Sequence, residues 1–188
     1  VLELTRRVHT DMATHFRGPV LMFWVFQVLR EYAATLADRP LGQPTPLAGL
    51  MDIAAVLERA VGPIDVCFSH NDLLAANFID DGERLWLVDW EYAGFNSPLF
   101  DLGGLASNNA LLEDQELWML EAYFDATPTD ELRKRYGAMK CASLLRETLW
   151  SMVSEQHSQL DVDYVAYTAE NLERFESTWS EYQRQWHP

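Results

Sequence analysis

The chain has 188 residues, 48 % of them hydrophobic, which suits one folded domain with a real core and excludes a disordered chain. A net charge of −15 excludes the cationic surface that nucleic acid requires and suits a small cationic substrate. Two cysteines, Cys67 and Cys141, are too few for a disulfide framework and point to a reducing, cytoplasmic setting.

Val1, Leu4, Val8, Met12 and Phe16 recur at helical spacing. Gly18-Pro19 breaks that helix, and an apolar helix to about Leu36 is expected after it. Its most apolar stretch, Val20 to Phe26, is far too short to span a bilayer, so no membrane insertion is expected. Arg39 to Pro46 reads as a loop by its prolines. A helix over Leu47 to Ala60 leads through Gly62-Pro63 into a strand-like Ile64 to Phe68. Next comes a hairpin: Asn77-Phe78-Ile79, a turn Asp80-Asp81-Gly82-Glu83 in which Gly82 is free to take positive φ, and a return strand Leu85 to Val88.

Phe100 to Ser107 and Leu112 to Phe124 read as helices. Thr127 is the expected cap of the next one, with Pro128 at its first position and an end near Glu155. Asp161 or Asp163 caps the last helix, which reaches about Gln185. Leu172, Phe175, Trp179, Tyr182 and Trp186 step by three and four along it and form a core-facing stripe. The whole reads as one α+β domain over 1–188, predominantly helical, with a small β-hairpin.

The chemistry concentrates around that hairpin. His70-Asn71-Asp72, then Asn77, then Asp89 at the end of an apolar run supply an acid, an amide and a second acid. Asn77 opens the hairpin and Asp89 closes it, so both oxygens can reach one cation, while Asp72 lies in the loop just before. Phosphoryl transfer needs this set: one carboxylate for the attacking hydroxyl, and an amide oxygen and a carboxylate for Mg²⁺ on the nucleotide phosphates. Mg²⁺ takes few protein oxygens and fills its shell with phosphate and water.

On these residues the chain resembles the choline/ethanolamine kinase branch of the aminoglycoside-phosphotransferase group, which shares the protein-kinase-like fold. His70-Asn71-Asp72 with Asn77 is similar to the family's catalytic loop. Asp89-Trp90-Glu91-Tyr92-Ala93-Gly94 is similar to its metal motif, and Asn96, Pro98, Phe100 and Asp101-Leu102-Gly103 extend the likeness. The resemblance implies that Asp72 is the catalytic base or hydroxyl-orienting group, braced by His70. It implies that Asn77 and Asp89 hold Mg²⁺ and ATP, and that Glu91 lies on the substrate side.

Such kinases need a second, nucleotide-gripping lobe with a strand lysine. This chain has only Lys134 and Lys140, both in a late helical stretch, and no Gly-x-Gly-x-x-Gly. The expectation is therefore a C-terminal lobe that works with an N-terminal lobe of the same protein. Trp150 and Tyr167 resemble the family's aromatic acceptor residues, which bind ammonium through cation–π attraction. Glu147 stands where a second tryptophan is common; a carboxylate there suits an amine with N–H donors. Core packing for the two rings and a solvated face for Glu147 is the plainer alternative. Two other functions stay open: an aminoglycoside or other sugar-alcohol phosphotransferase, and a non-catalytic kinase-like binding module.

Overall fold

The computed structural model describes residues 1–38, 47–158 and 160–187. The proline-rich stretch Arg39–Pro46 lies outside them. The elements run α1 (Leu2–Asp11), a 3-10 turn (Met12–His15), α2 (Val25–Asp38), α3 (Leu47–Val61), β1 (Cys67–Ser69) and a second 3-10 turn (Ala75–Asn77). Then come β2 (Phe78–Asp80), β3 (Leu85–Leu87), β4 (Gly94–Asn96), α4 (Pro98–Asn108), α5 (Glu113–Phe124), α6 (Asp130–His157) and α7 (Tyr164–Trp186).

α6 is the axis of the fold, with α2, α3, α4 and α7 packed around it. Its middle is buried on every side, as a helix enclosed by others is. Ala138, Met139, Ala142, Leu145 and Leu149 are fully buried. α4 approaches closely because Gly103 carries no side chain: a Cβ there would lie 2.9 Å from the Lys140 backbone. The expected stripe of α7 closes the other side. Phe175 and Tyr182 are buried, and Leu172, Trp179 and Trp186 pack against the same core.

The strands form two small antiparallel pairs. β1 pairs with β4, with Phe68 opposite Phe95; β2 pairs with β3, with Ile79 opposite Trp86. The second pair is the expected hairpin, and Gly82 takes φ +87° in its turn. Asp81 fastens that turn by accepting from the backbone N–H groups of Glu83 and Arg84, each at 2.9 Å.

Four boundaries differ from the sequence expectation, the first being that the helix expected through Phe16 ends at Asp11 and passes into the 3-10 turn. The apolar helix does not begin after Pro19. Residues 20–24 precede it, with Met22 bridging Phe95 in the parallel sense, because the open edge of β4 satisfies their backbone. The Phe23 N–H donates to the Phe95 carbonyl at 2.8 Å and the Phe95 N–H to the Leu21 carbonyl at 2.9 Å. Thr129, not Thr127, caps α6, its hydroxyl accepting from the Leu132 N–H at 3.2 Å. The strand at Ile64–Phe68 is confined to Cys67–Ser69. Of the two candidate caps of α7, Asp163 is the one used, accepting from the Ala166 N–H at 3.0 Å.

Candidate active site

The loop after β1 is held by one buried carboxylate. Ser97 caps α4 with Pro98 in its first turn, which places Asp101 one turn into the helix. Asp101 is fully buried; it accepts the Asn71 N–H at 2.7 Å and the His70 N–H at 2.8 Å. His9 of α1 donates to it from Nε2 at 2.9 Å, and the other ring nitrogen bonds Tyr123 Oη at 2.7 Å. A buried carboxylate needs such partners, and here they are the backbone of the loop itself.

Asn71 turns the chain. Its φ is +66°, a left-handed conformation that asparagine tolerates better than most residues. Its amide donates to the Tyr92 carbonyl at 3.0 Å and accepts from Asn96 Nδ2 at 2.9 Å, tying the loop to β4. His70 is fully buried and donates from Nε2 to the Val88 carbonyl at 2.9 Å, with Trp90 edge-on at 4.7 Å. The brace expected of His70 is thus a bond to the end of the hairpin.

The same end carries the two expected metal ligands. The Val88 N–H donates to the Asn77 carbonyl at 3.0 Å, continuing the β2–β3 register by one pair and setting Asn77 beside the residue before Asp89. Asn77 is buried and gives its Nδ2 to the Asp72 carbonyl at 2.9 Å, which leaves its amide oxygen as the donor atom for a cation. Asp89 is exposed, with φ +66°. Two hard oxygens, one neutral and one anionic, fit Mg²⁺, which keeps waters and phosphate for the rest of its shell. Among the described residues no cluster of three or more His, Cys, Asp or Glu side chains could hold a metal.

Asp72 itself meets α6. Its Oδ1 lies 3.3 Å from Arg146 Nη1, and the same nitrogen donates to Glu147 Oε2 at 2.8 Å. The Arg146 guanidinium carbon also sits 4.6 Å from the centre of the Tyr92 ring. Burial pushes the Asp72 carboxyl above its ordinary value, Arg146 opposes that, and Glu147 adds to it. Burial works to lower the Arg146 guanidinium, but Glu147 and Asp72 outweigh it and the net direction is up.

The residues expected on the acceptor side, Glu147, Trp150 and Tyr167, gather on α6 and α7. Tyr167 Oη donates to Glu147 Oε1 at 2.7 Å, and burial and Glu147 push that hydroxyl up to about 12. Trp150 stands edge-on to Tyr167 at 6.4 Å and to Tyr164 at 6.2 Å. Glu147 is 8 % exposed, so the solvated face allowed for it in the sequence is not what the fold builds. Glu91 is exposed on the turn before β4, and among the described residues no hydrogen bond or ion pair joins it to the rest. Sequence reasoning missed Arg146 altogether. The available signal was a charged pair, Arg146-Glu147, inside the apolar run Leu144-Leu145 to Leu149.

Helices packed around a small hairpin and a loop anchored on the buried Asp101 make up a protein-kinase-like fold. The family model for choline/ethanolamine kinase matches residues 24–139, more than half of the chain, and the chain belongs to that family. It is similar to the protein LicA of Haemophilus influenzae, 31 % identical over 101 residues that cover 50 % of this chain and 38 % of that protein. It is also similar to the probable ethanolamine kinase A of Dictyostelium discoideum, 29 % identical over 150 residues, 69 % of this chain and 43 % of that one. Among solved structures, a choline/ethanolamine kinase family protein from Mesorhizobium loti superposes with a TM-score of 0.85 at 28 % identity, over 98 % of this chain and 63 % of that one. The chain therefore spans less than half the length of these curated relatives.

Proposed function

We propose that the chain is the catalytic lobe of an ATP-dependent kinase that phosphorylates a hydroxyl of choline, ethanolamine or a similar amino alcohol. The observation that carries this reading is the tie between Asp72, Asn77 and the hairpin end that leads into Asp89, made by two hydrogen bonds. Asp72 takes the proton of the acceptor hydroxyl as its oxygen bonds the γ-phosphorus; the bond to the bridging oxygen breaks and ADP leaves. The Asn77 amide oxygen and the Asp89 carboxylate would hold Mg²⁺, which would neutralise charge on the nucleotide phosphates. Trp150 and Tyr167 offer ring faces to the acceptor's ammonium, and Glu147 and Glu91 add negative charge on that side.

A second lobe of the same protein supplies the lysine and covering loop that grip the phosphates. Among the described residues no helix is long and apolar enough to cross a membrane. Burial pushes the Cys67 thiol up to about 11 and Cys141 up to about 12, so both stay protonated near neutrality. Two unpaired thiols support a reducing, cytoplasmic setting.

The test is an ADP-release assay of the full-length protein with Mg²⁺-ATP against a panel of amino alcohols and aminoglycosides. Acceptor-dependent release with choline or ethanolamine supports the reading. Release only with aminoglycosides moves the acceptor class, and nucleotide binding without turnover on any acceptor leaves a binding module. The 188-residue chain alone should fold and show no turnover; Mg²⁺-dependent turnover by it would end the two-lobe part of the proposal.

A further inference from the structure

Arg146 is the residue of the acceptor side that the proposed chemistry leaves unused. Its side chain is 5 % exposed, on the most enclosed helix of the fold, where its neighbours Leu144, Leu145 and Leu149 are buried. Burying an ion pair gives little net stability compared with an apolar residue of like volume, because desolvation offsets the attraction. Stability is therefore a poor reason for a guanidinium at this position.

Its contacts offer a better one. Nη1 reaches both Asp72 Oδ1, at 3.3 Å, and Glu147 Oε2, at 2.8 Å. The guanidinium lies over the Tyr92 ring, and Tyr92 in turn receives Asn71 Nδ2 on its carbonyl. Glu147 is fixed from the far side by Tyr167 Oη. Arg146 Nε is buried without a partner, so the group gives up one hydrogen bond to hold this pose. A planar fork wedged between a ring and a second carboxylate has little freedom to swing.

We propose that Arg146 is a positioning residue: clamped by Glu147 and Tyr92, it fixes the Asp72 carboxylate for the acceptor hydroxyl. The same placement fills the Tyr92 face with the chain's own cation, so the acceptor's ammonium is met on the Trp150 and Tyr167 side. This rests on the kinase reading above, with Asp72 as the group that meets the acceptor.

Arg146→Met combined with Glu147→Gln removes one cation and one anion together, so the net charge around Asp72 is unchanged. In the full-length enzyme kcat should fall about a hundredfold, the scale of a reacting group misplaced by an ångström. The ATP KM should stay within about threefold, while the acceptor KM rises with the loss of the Glu147 charge. Arg146→Lys keeps the charge and should recover about a tenth of wild-type kcat. A double variant with wild-type kcat, or one that loses kcat only as both KM values rise in step, overturns the proposal. If the double variant does not fold, Arg146→Lys decides: lower kcat at unchanged KM supports the clamp, and wild-type kcat overturns it. A readout without turnover separates this from failure of the kinase reading. By ¹⁵N NMR, rotation of the Arg146 guanidinium should be slow in the wild type and faster in Glu147→Gln. Free rotation in the wild type overturns the clamp whatever the enzyme phosphorylates.

Discussion

The loop that carries Asp72 and the face of α6 that carries Glu147 are built on opposite plans. The loop is held by its backbone: Asp101 takes two main-chain N–H groups, Asn71 and Asp89 use left-handed φ, and His70 pins a carbonyl. The α6 face, the proposed acceptor side, is held by side chains, Arg146, Glu147 and Tyr167 passing one charge-assisted network from α6 to α7. Backbone anchoring fixes position whatever the neighbouring side chains are. Side-chain anchoring can be rewritten by single substitutions. The first plan suits chemistry that every substrate needs, and the second suits a surface that selects among substrates.

The largest effect should come from breaking the chemistry itself. Asp72→Asn should lower kcat about a thousandfold with nucleotide affinity nearly intact, since in the proposed mechanism that carboxylate meets the acceptor and not the metal. Asp89→Asn should weaken Mg²⁺-nucleotide binding as well as rate. Equal loss of nucleotide binding in both variants, measured by calorimetry, would reject that division. Because burial raises the Asp72 carboxyl, the acid limb of kcat should lie above the ordinary carboxylate range, about 3.9. Activity should then fall on acidification before other carboxylates have titrated.

The backbone plan is broken next at Asp101. Asp101→Asn replaces an acceptor of three hydrogen bonds with an amide whose NH₂ can accept none, and should cost about 2–3 kcal/mol in chemical denaturation. Protection of the His70 and Asn71 amides from hydrogen exchange should drop with it. A loss of stability with those amides still protected would mean that the anchor lies elsewhere.

This contrast also governs what the sequence discloses. The loop and hairpin were legible because their parts are close in the chain: Asp72, Asn77 and Asp89 fall within one supersecondary unit, and Gly82 marks its turn. Asp101 was readable only as part of a motif, since its partners His9 and His70 come from two distant elements. Arg146 and Asp72 lie 74 positions apart, and no local periodicity encodes their meeting. The start of α2 failed for the same reason. Residues 20–24 have helix-compatible side chains, but pairing of 21–23 with β4 overrides propensity.

A smaller effect tests how the two regions are brought together. Gly103 lets α4, which carries Asp101, lie against α6, which carries Arg146. Gly103→Ala puts a methyl group 2.9 Å from the Lys140 backbone, which cannot rotate away. The cost should be about 1–3 kcal/mol, the usual range for overpacking. If the two plans are independent, nucleotide affinity should hold while acceptor KM rises.

The smallest effect should fall on selection alone. Trp150 is half-buried and meets Tyr164 and Tyr167 edge-on, outside the fully buried core. Trp150→Ala should therefore raise acceptor KM by about 1–2 kcal/mol, roughly five- to thirtyfold, and leave the ATP KM unchanged. Tyr167→Phe makes a useful companion. It keeps the ring but removes the hydroxyl that fixes Glu147, so it should disturb kcat through Arg146 more than it disturbs acceptor KM. If Trp150→Ala lowers only the melting temperature, the tryptophan is packing and the acceptor lies elsewhere. If Tyr167→Phe raises acceptor KM as much as Trp150→Ala does, Glu147 meets the substrate directly, and the side-chain network is a binding surface with no clamp in it.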